Sequence, residues 1–157
     1  MSWLRRRIWE PLLALLKTGL SPRGLAWSVA AGLALGVFPM LGATTLLCVG
    51  AGLAFRLSQP AMQVVNYLAY PVQLALLVPF IRMGDWLFGV QPLPLSLSAI
   101  LASLKADTLG TIVTFWTKIW HACVVWALLA LPLMVLLALA LRPVFETVAR
   151  RFQEESA

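Results

Sequence analysis

The chain is poor in charge. Of its 157 residues only 11% are Asp, Glu, Lys or Arg, and six are acidic. A soluble domain carries about a quarter charged residues, and a fold this small has too much surface to cover with so few polar groups. An ordinary cytosolic enzyme and a disordered tail are thereby excluded. The two cysteines exclude a disulfide scaffold: Cys48 and Cys123 lie inside apolar runs, have no zinc spacing and read as packing. Histidine occurs once, as His121, and no Ser or Cys has a plausible base beside it. Gly-rich phosphate loops and acidic metal clusters are missing too. We therefore expect no enzyme, no metal and no cofactor.

What is there is apolar. Hydrophobic residues make up 61% of the chain, which points to an integral membrane protein. The formal charge of +6 does not imply nucleic acid, because the basic residues sit where spans end. Arg5, Arg6, Arg7, Lys17 and Arg23 precede the first apolar stretch, and Arg142, Arg150 and Arg151 follow the last. Flanking Lys and Arg are retained in the cytoplasm during insertion, so both termini are expected there. The N-terminus does not read as a cleaved signal peptide, since Trp3, Trp9 and Glu10 interrupt its basic region.

Residues 1–23 read as an amphipathic segment lying in the headgroup plane, or equally as a plain topogenic flank. From Leu25 to Phe55 no residue is charged. One straight helix over that stretch would reach about 46 Å, against a hydrocarbon core of about 30 Å, and two full spans would each be short. Its middle, Gly36-Val37-Phe38-Pro39-Met40-Leu41-Gly42, breaks a helix twice over. Pro39 removes a donor and clashes with the preceding turn, and the glycines permit reversal. A re-entrant helical hairpin over 24–55, or a span joined to a half-span, follows. Its broken backbone must be covered by protein or line a polar cavity, because lipid cannot satisfy it. Two small-residue ladders, Gly24/Ser28/Gly32/Gly36 and Thr44/Cys48/Gly52, suit close helix packing and favour a hairpin within one chain.

A second block, 57–89, carries Pro60, Pro71 and Pro79. Residues before proline avoid helical backbone, which predicts a second break at Tyr70 and Pro71. Leu97, Ile100, Leu101 and Leu104 fall at helical spacing in an interfacial segment, 95–108. The clearest span is 119–141, bounded by Lys118 and Arg142, with a helical extension through the cytoplasmic segment 142–157. Cytoplasmic termini require an even number of crossings: two, by 57–89 and 119–141, or four if 25–55 crosses twice.

The two breaks are the candidate sites. A discontinuous membrane helix presents unpaired N–H groups and the positive end of its dipole at depth. After Pro39 the renewed helix opens with Gly42, Thr44 and Thr45; after Pro71 it opens with Gln73, and Asn66 and Tyr70 cluster nearby. Either end suits an anionic head group. Arg56 and Arg82 lie close to apolar segments, with Asp85 the nearest acid to Arg82; the plain alternative is that both arginines reach to the interfaces. His121 beside Trp120 reads as an interface residue, with a proton carrier as the alternative.

With these residues in hand the chain resembles a family. Gly32-Leu-Ala-Leu-Gly36-Val-Phe-Pro39-Met-Leu-Gly42-Ala-Thr-Thr, Phe55-Arg56 with Pro60, Tyr70-Pro71, Pro79 and Met83-Gly84 are similar to the domain of unknown function 2062, small bacterial membrane proteins sometimes fused to glycosyltransferases. Many members carry Gln where Thr44 stands and Asn where Tyr70 stands, so no role for those side chains transfers. The resemblance implies an inner-membrane protein and supplies no activity. The Pro-x-x-Gly break also resembles the re-entrant loops of DedA lipid transporters. The expected fold is an all-helical polytopic membrane protein with a re-entrant hairpin and interfacial amphipathic helices. Its expected function is binding or moving an anionic amphiphile, such as a lipid or polyprenyl phosphate. The alternative is a non-catalytic scaffold for an envelope-biogenesis complex.

Overall fold

A computed structural model describes residues 21–92 and 97–154; the expected interfacial segment at 1–23 therefore lies almost wholly outside the described residues. All regular structure within them is helical: α1 (Pro22–Gly36), α2 (Thr44–Phe55), α3 (Gln59–Leu87), α4 (Leu97–Ala106) and α5 (Thr108–Glu154). Two of these, α3 and Thr108–Arg150 within α5, are long and apolar enough to cross a membrane.

The starts of these helices are local events. Ser21 caps α1, its hydroxyl accepting from the Gly24 N–H at 3.1 Å, with proline in the first turn. Asp107 opens α5 by accepting from the Gly110 N–H at 3.0 Å. α4 ends at Ala106 and α5 runs unbroken from Thr108, so the helix that carries the expected span 119–141 begins eleven residues earlier than that span.

α1 and α3 run parallel. Ser28, Gly32, Gly36 and Phe38 meet, in order, Ser58, Met62, Ala69 and Gln73. α5 runs antiparallel to both, packing Phe145 against Leu25, Ala26 and Ala61 at one end, and Trp126 against Ala34 and Phe80 further along. α2 folds back beside α1 and α3, with Cys48 buried against Ala31 and Met62. The small-residue ladders thus serve a helix other than the one expected. A Cβ on Gly32 would sit 2.7 Å from the Met62 carbonyl oxygen, and one on Gly36 would sit 2.9 Å from Ala69 Cβ. Gly52 receives the Gln59 side chain. Both ladders converge on α3, which lies against the two arms of the hairpin at once.

The expected second break is also corrected. α3 continues through Pro71 and Pro79 without interruption, and α5 does so through Pro132 and Pro143. All four prolines face outward, while the opposite side of α3 is held by Ala69, Gln73, Phe80 and Gly84. A proline costs a helix one hydrogen bond and a steric adjustment, and packing along the other face keeps the axis continuous. The 37–43 segment differs because Pro39 is buried and Gly42 adopts φ 86°, a left-handed conformation that no helix continues through.

Candidate functional site

The break between α1 and α2 lies level with the centre of α3. Gln73, fourteen residues from either end of that helix, donates through Nε2 to the Phe38 carbonyl at 2.7 Å. From the other side Trp126 Nε1 donates to the Ala34 carbonyl at 2.9 Å, and its ring meets Phe38 edge-on at 4.8 Å. Val37 N–H and Phe38 N–H bond back to Leu33 and Leu35 carbonyls. The Phe38 and Ala34 carbonyls at the break are therefore taken by side chains of α3 and α5. The donors on the far side of the turn are less covered: Ala43, at the N-cap of α2, makes no side-chain cap bond, and the first N–H groups of any helix lack intrahelical partners.

Polar side chains of α3 line this region at helical spacing. Gln59 Nε2 donates to the Val49 carbonyl at 2.9 Å, and Gln63 Nε2 to the Thr45 carbonyl at 3.4 Å. Asn66 Nδ2 donates to Gln63 Oε1 at 3.4 Å. Of the predicted residues, Pro39, Thr44, Asn66 and Gln73 are buried around the break, Thr45 is half-buried, and Gly42 is exposed at the turn. Tyr70 and Pro71 point outward and join no break, so the helix N-terminus expected before Gln73 does not exist.

The two arginines do not share a site. Arg56 is exposed and closes α2 in a left-handed conformation (φ 53°), its N–H bonded to the Gly52 carbonyl. Arg82 is exposed far along α3; the 23 residues from Gln59 to Arg82 span about 34 Å of helix. Nor does Arg82 hold Asp85. That carboxylate is 3% exposed and bonded to Lys118 of α5, Nζ to Oδ1 at 2.6 Å. The same ammonium donates to the Gln91 carbonyl at 2.7 Å, tying the segment after α3 to α5. One turn further along α5, His121 is buried against Gly84 and stacks on Phe88 with centroids 4.0 Å apart. Asp85 Oδ2 and His121 Nδ1 are buried without hydrogen-bond partners.

Sequence reasoning read Lys118 as the boundary of a span and Trp126 as one of its markers. Lys118 and His121 do stand one helical turn apart, a visible signal that two polar groups share a face. Nothing local reveals that the face is turned toward Asp85.

Among the described residues these features define a helical bundle with one polar interrupted hairpin and one buried ion pair. A family model matches residues 5–151, and the chain belongs to that family, described as an uncharacterized protein conserved in bacteria (DUF2062). No curated protein and no solved structure matches the chain, so the likeness to DedA transporters finds no support.

Proposed function

We propose that the protein is a two-crossing protein of the bacterial inner membrane, with α3 and α5 as its spans and α1–α2 as a re-entrant hairpin. Both termini lie in the cytoplasm in this reading. It binds, and passes between membrane regions, an amphiphile with an anionic head group such as a lipid or polyprenyl phosphate, without a chemical step. The observation that carries the reading is the level of the break: a polar turn beside the midpoint of a 29-residue apolar helix. In a bilayer whose hydrocarbon is about 30 Å thick, that level falls near mid-depth. Non-helical backbone is stable there only when covered by protein or lining a cavity.

Further support comes from charge. Arg23, Arg56 and Arg142 lie toward the hairpin's open end, where Ser58 bonds to Ser28 and Phe145 packs on Leu25 and Ala61, which agrees with a cytoplasmic mouth. The α2 N-terminus offers partial positive charge and free N–H groups at the break. Arg56 at the mouth and Arg82 near the opposite end are stations along a route, too far apart to grip one phosphate together.

The test is binding of phosphatidic acid in nanodiscs, measured by native mass spectrometry against phosphatidylcholine. Arg56→Gln is expected to weaken phosphatidic acid binding about tenfold, as loss of one charge-assisted hydrogen bond implies. Unchanged binding defeats the reading and leaves the scaffold alternative, for which crosslinking in native membranes must return a constant protein neighbour.

A further inference from the structure

The two arms of the hairpin are held in different ways. On the α1 side, bonds from the bundle go to carbonyls that the helix itself leaves open. Trp126 donates to Ala34, in the last turn of α1, and Gln73 donates to Phe38, beyond its end. On the α2 side Gln59 and Gln63 donate to the Val49 and Thr45 carbonyls. Those two lie within α2, where a carbonyl already accepts from the N–H four residues on. Losing the first pair of bonds strands carbonyls in the bundle; losing the second strands none on α2.

Burial follows the same division. α1 buries eight of its 15 residues, whereas α2 buries three of its 12, Thr44, Cys48 and Gly52, all of them small. Leu46, Leu53 and Phe55 of α2 are largely exposed. Little apolar area therefore holds α2 against its neighbours, and an element so lightly packed opens at a lower free energy than the bundle around it. The backbone is left-handed on both sides of α2, at Gly42 (φ 86°) and Arg56 (φ 53°), so a sharp turn bounds the helix at each end.

The seam between α2 and α3 is polar along its length and incompletely matched. From Arg56 at the mouth it passes Gln59, Gln63 and Asn66 of α3 to the first turn of α2 beside the break. The Gln59 side chain fills the space beside Gly52, and its Oε1 is buried there with no donor. A buried acceptor left unpaired counts against the closed seam.

We propose that α2 is a lateral gate. It swings away from α3 about the turns at its two ends, while α1 stays in the bundle, and the opened seam admits the anionic head group to the break. Gln59 and Gln63 are the residues that pass the head group inward. Each exchanges an α2 carbonyl for a phosphate oxygen as the acceptor of its Nε2 hydrogens, and no covalent bond changes. This inference rests on the lipid route proposed above and adds how that route opens.

A disulfide across the gate tests it. Cys48 of α2 packs on Ala31 of α1, so Ala31→Cys in the full-length protein carrying Cys123→Ala supplies a second thiol at that contact. The pair is kept reduced, or oxidised with copper phenanthroline before the protein meets phosphatidic acid. Retention of phosphatidic acid over phosphatidylcholine in nanodiscs is then compared. Oxidation is expected to lower phosphatidic acid binding about tenfold or more, because the competent state is locked out, and reduction to restore it. Equal binding in both states overturns the gate and leaves the lipid route standing. No preference for phosphatidic acid even when reduced removes the route and the gate with it. A second measurement needs no disulfide: alkylation by N-ethylmaleimide of Cys48 as sole cysteine, against Ser28→Cys as sole cysteine. Both positions are 0% exposed, and Ser28 lies nearer the mouth, beside Ser58. Cys48, on the gate, is expected to react about tenfold faster than the thiol on α1. Equal rates, or a slower Cys48, overturn the proposal.

Discussion

The side-chain amide of Gln73 donates to the carbonyl of Phe38 at 2.7 Å, joining the centre of α3 to the turn that separates α1 from α2. A glutamine in the middle of an apolar helix is costly unless its amide is occupied. Here the cost is offset by satisfying a carbonyl that the break itself removed from the helical ladder. Gln73→Leu keeps the volume and loses the donor; it is expected to destabilise the protein by about 1–3 kcal/mol, the penalty of an unmatched buried carbonyl. Unfolding from mild detergent into a denaturing one measures this. Trp126→Phe, which retains an edge-on ring for Phe38, is expected to lose about 1 kcal/mol for its single hydrogen bond.

Gly32→Ala and Gly50→Ala place the same methyl group on helices with opposite outcomes. At Gly32 the new carbon meets the Met62 backbone at 2.7 Å, whereas at Gly50 nothing lies within 4 Å. We expect Gly32→Ala to cost about 1–3 kcal/mol through forced separation of α1 and α3, and Gly50→Ala to stabilise by up to about 1 kcal/mol through helix propensity. The same unfolding assay separates the two.

Breaking the buried pair from one side leaves the other charge without a partner. Asp85→Asn and Lys118→Met are each expected to cost about 3–5 kcal/mol, and the double variant distinctly less than their sum. Additive losses in a double-mutant cycle would show that the two groups do not interact across α3 and α5.

Arg56 separates backbone from charge. Its left-handed conformation (φ 53°) is one that glycine adopts freely, so Arg56→Gly is expected to raise stability by about 1 kcal/mol. Phosphatidic acid binding is expected to fall as far as in Arg56→Gln. A variant that is more stable and still binds fully would assign Arg56 a capping role alone.

The depth of the hairpin is open to direct measurement. Leu41 stands half-exposed at the turn and Trp86 is strongly exposed near the end of α3. Spin labels on Leu41→Cys and Trp86→Cys, in a background lacking Cys48 and Cys123, are expected to differ in collision with oxygen and with a water-soluble nickel chelate. The label at 41 should favour oxygen, as at mid-depth, and the label at 86 the chelate. The reverse order would place the turn in water.

Much of the helical organisation is legible residue by residue. The uncharged stretch 25–55, the Gly/Pro run at 36–42 and the apolar segment 119–141 are properties of neighbouring residues, and a helix break needs only local sterics. The prolines of 57–89 misled for an instructive reason: Pro71 and Pro79 are as incompatible with an isolated helix as Pro39. The difference is that their rings face outward while Ala69, Gln73, Phe80 and Gly84 are clamped on the other side. Arg82 and Asp85 misled because three residues of separation suggests a pair, whereas burial puts the carboxylate on the α5 side and leaves the arginine outside.

By itself, then, the amino-acid order determined that the chain is apolar and helical, where it bends sharply and which ends are basic, because those follow from side-chain transfer energies and backbone sterics over a few residues. Only the tertiary structure decided which prolines interrupt a helix, that α3 serves both arms of the hairpin, and that Asp85 meets Lys118, 33 positions further along the chain. Those outcomes depend on which helix faces touch, and a contact between distant segments is selected by the packing of the whole bundle.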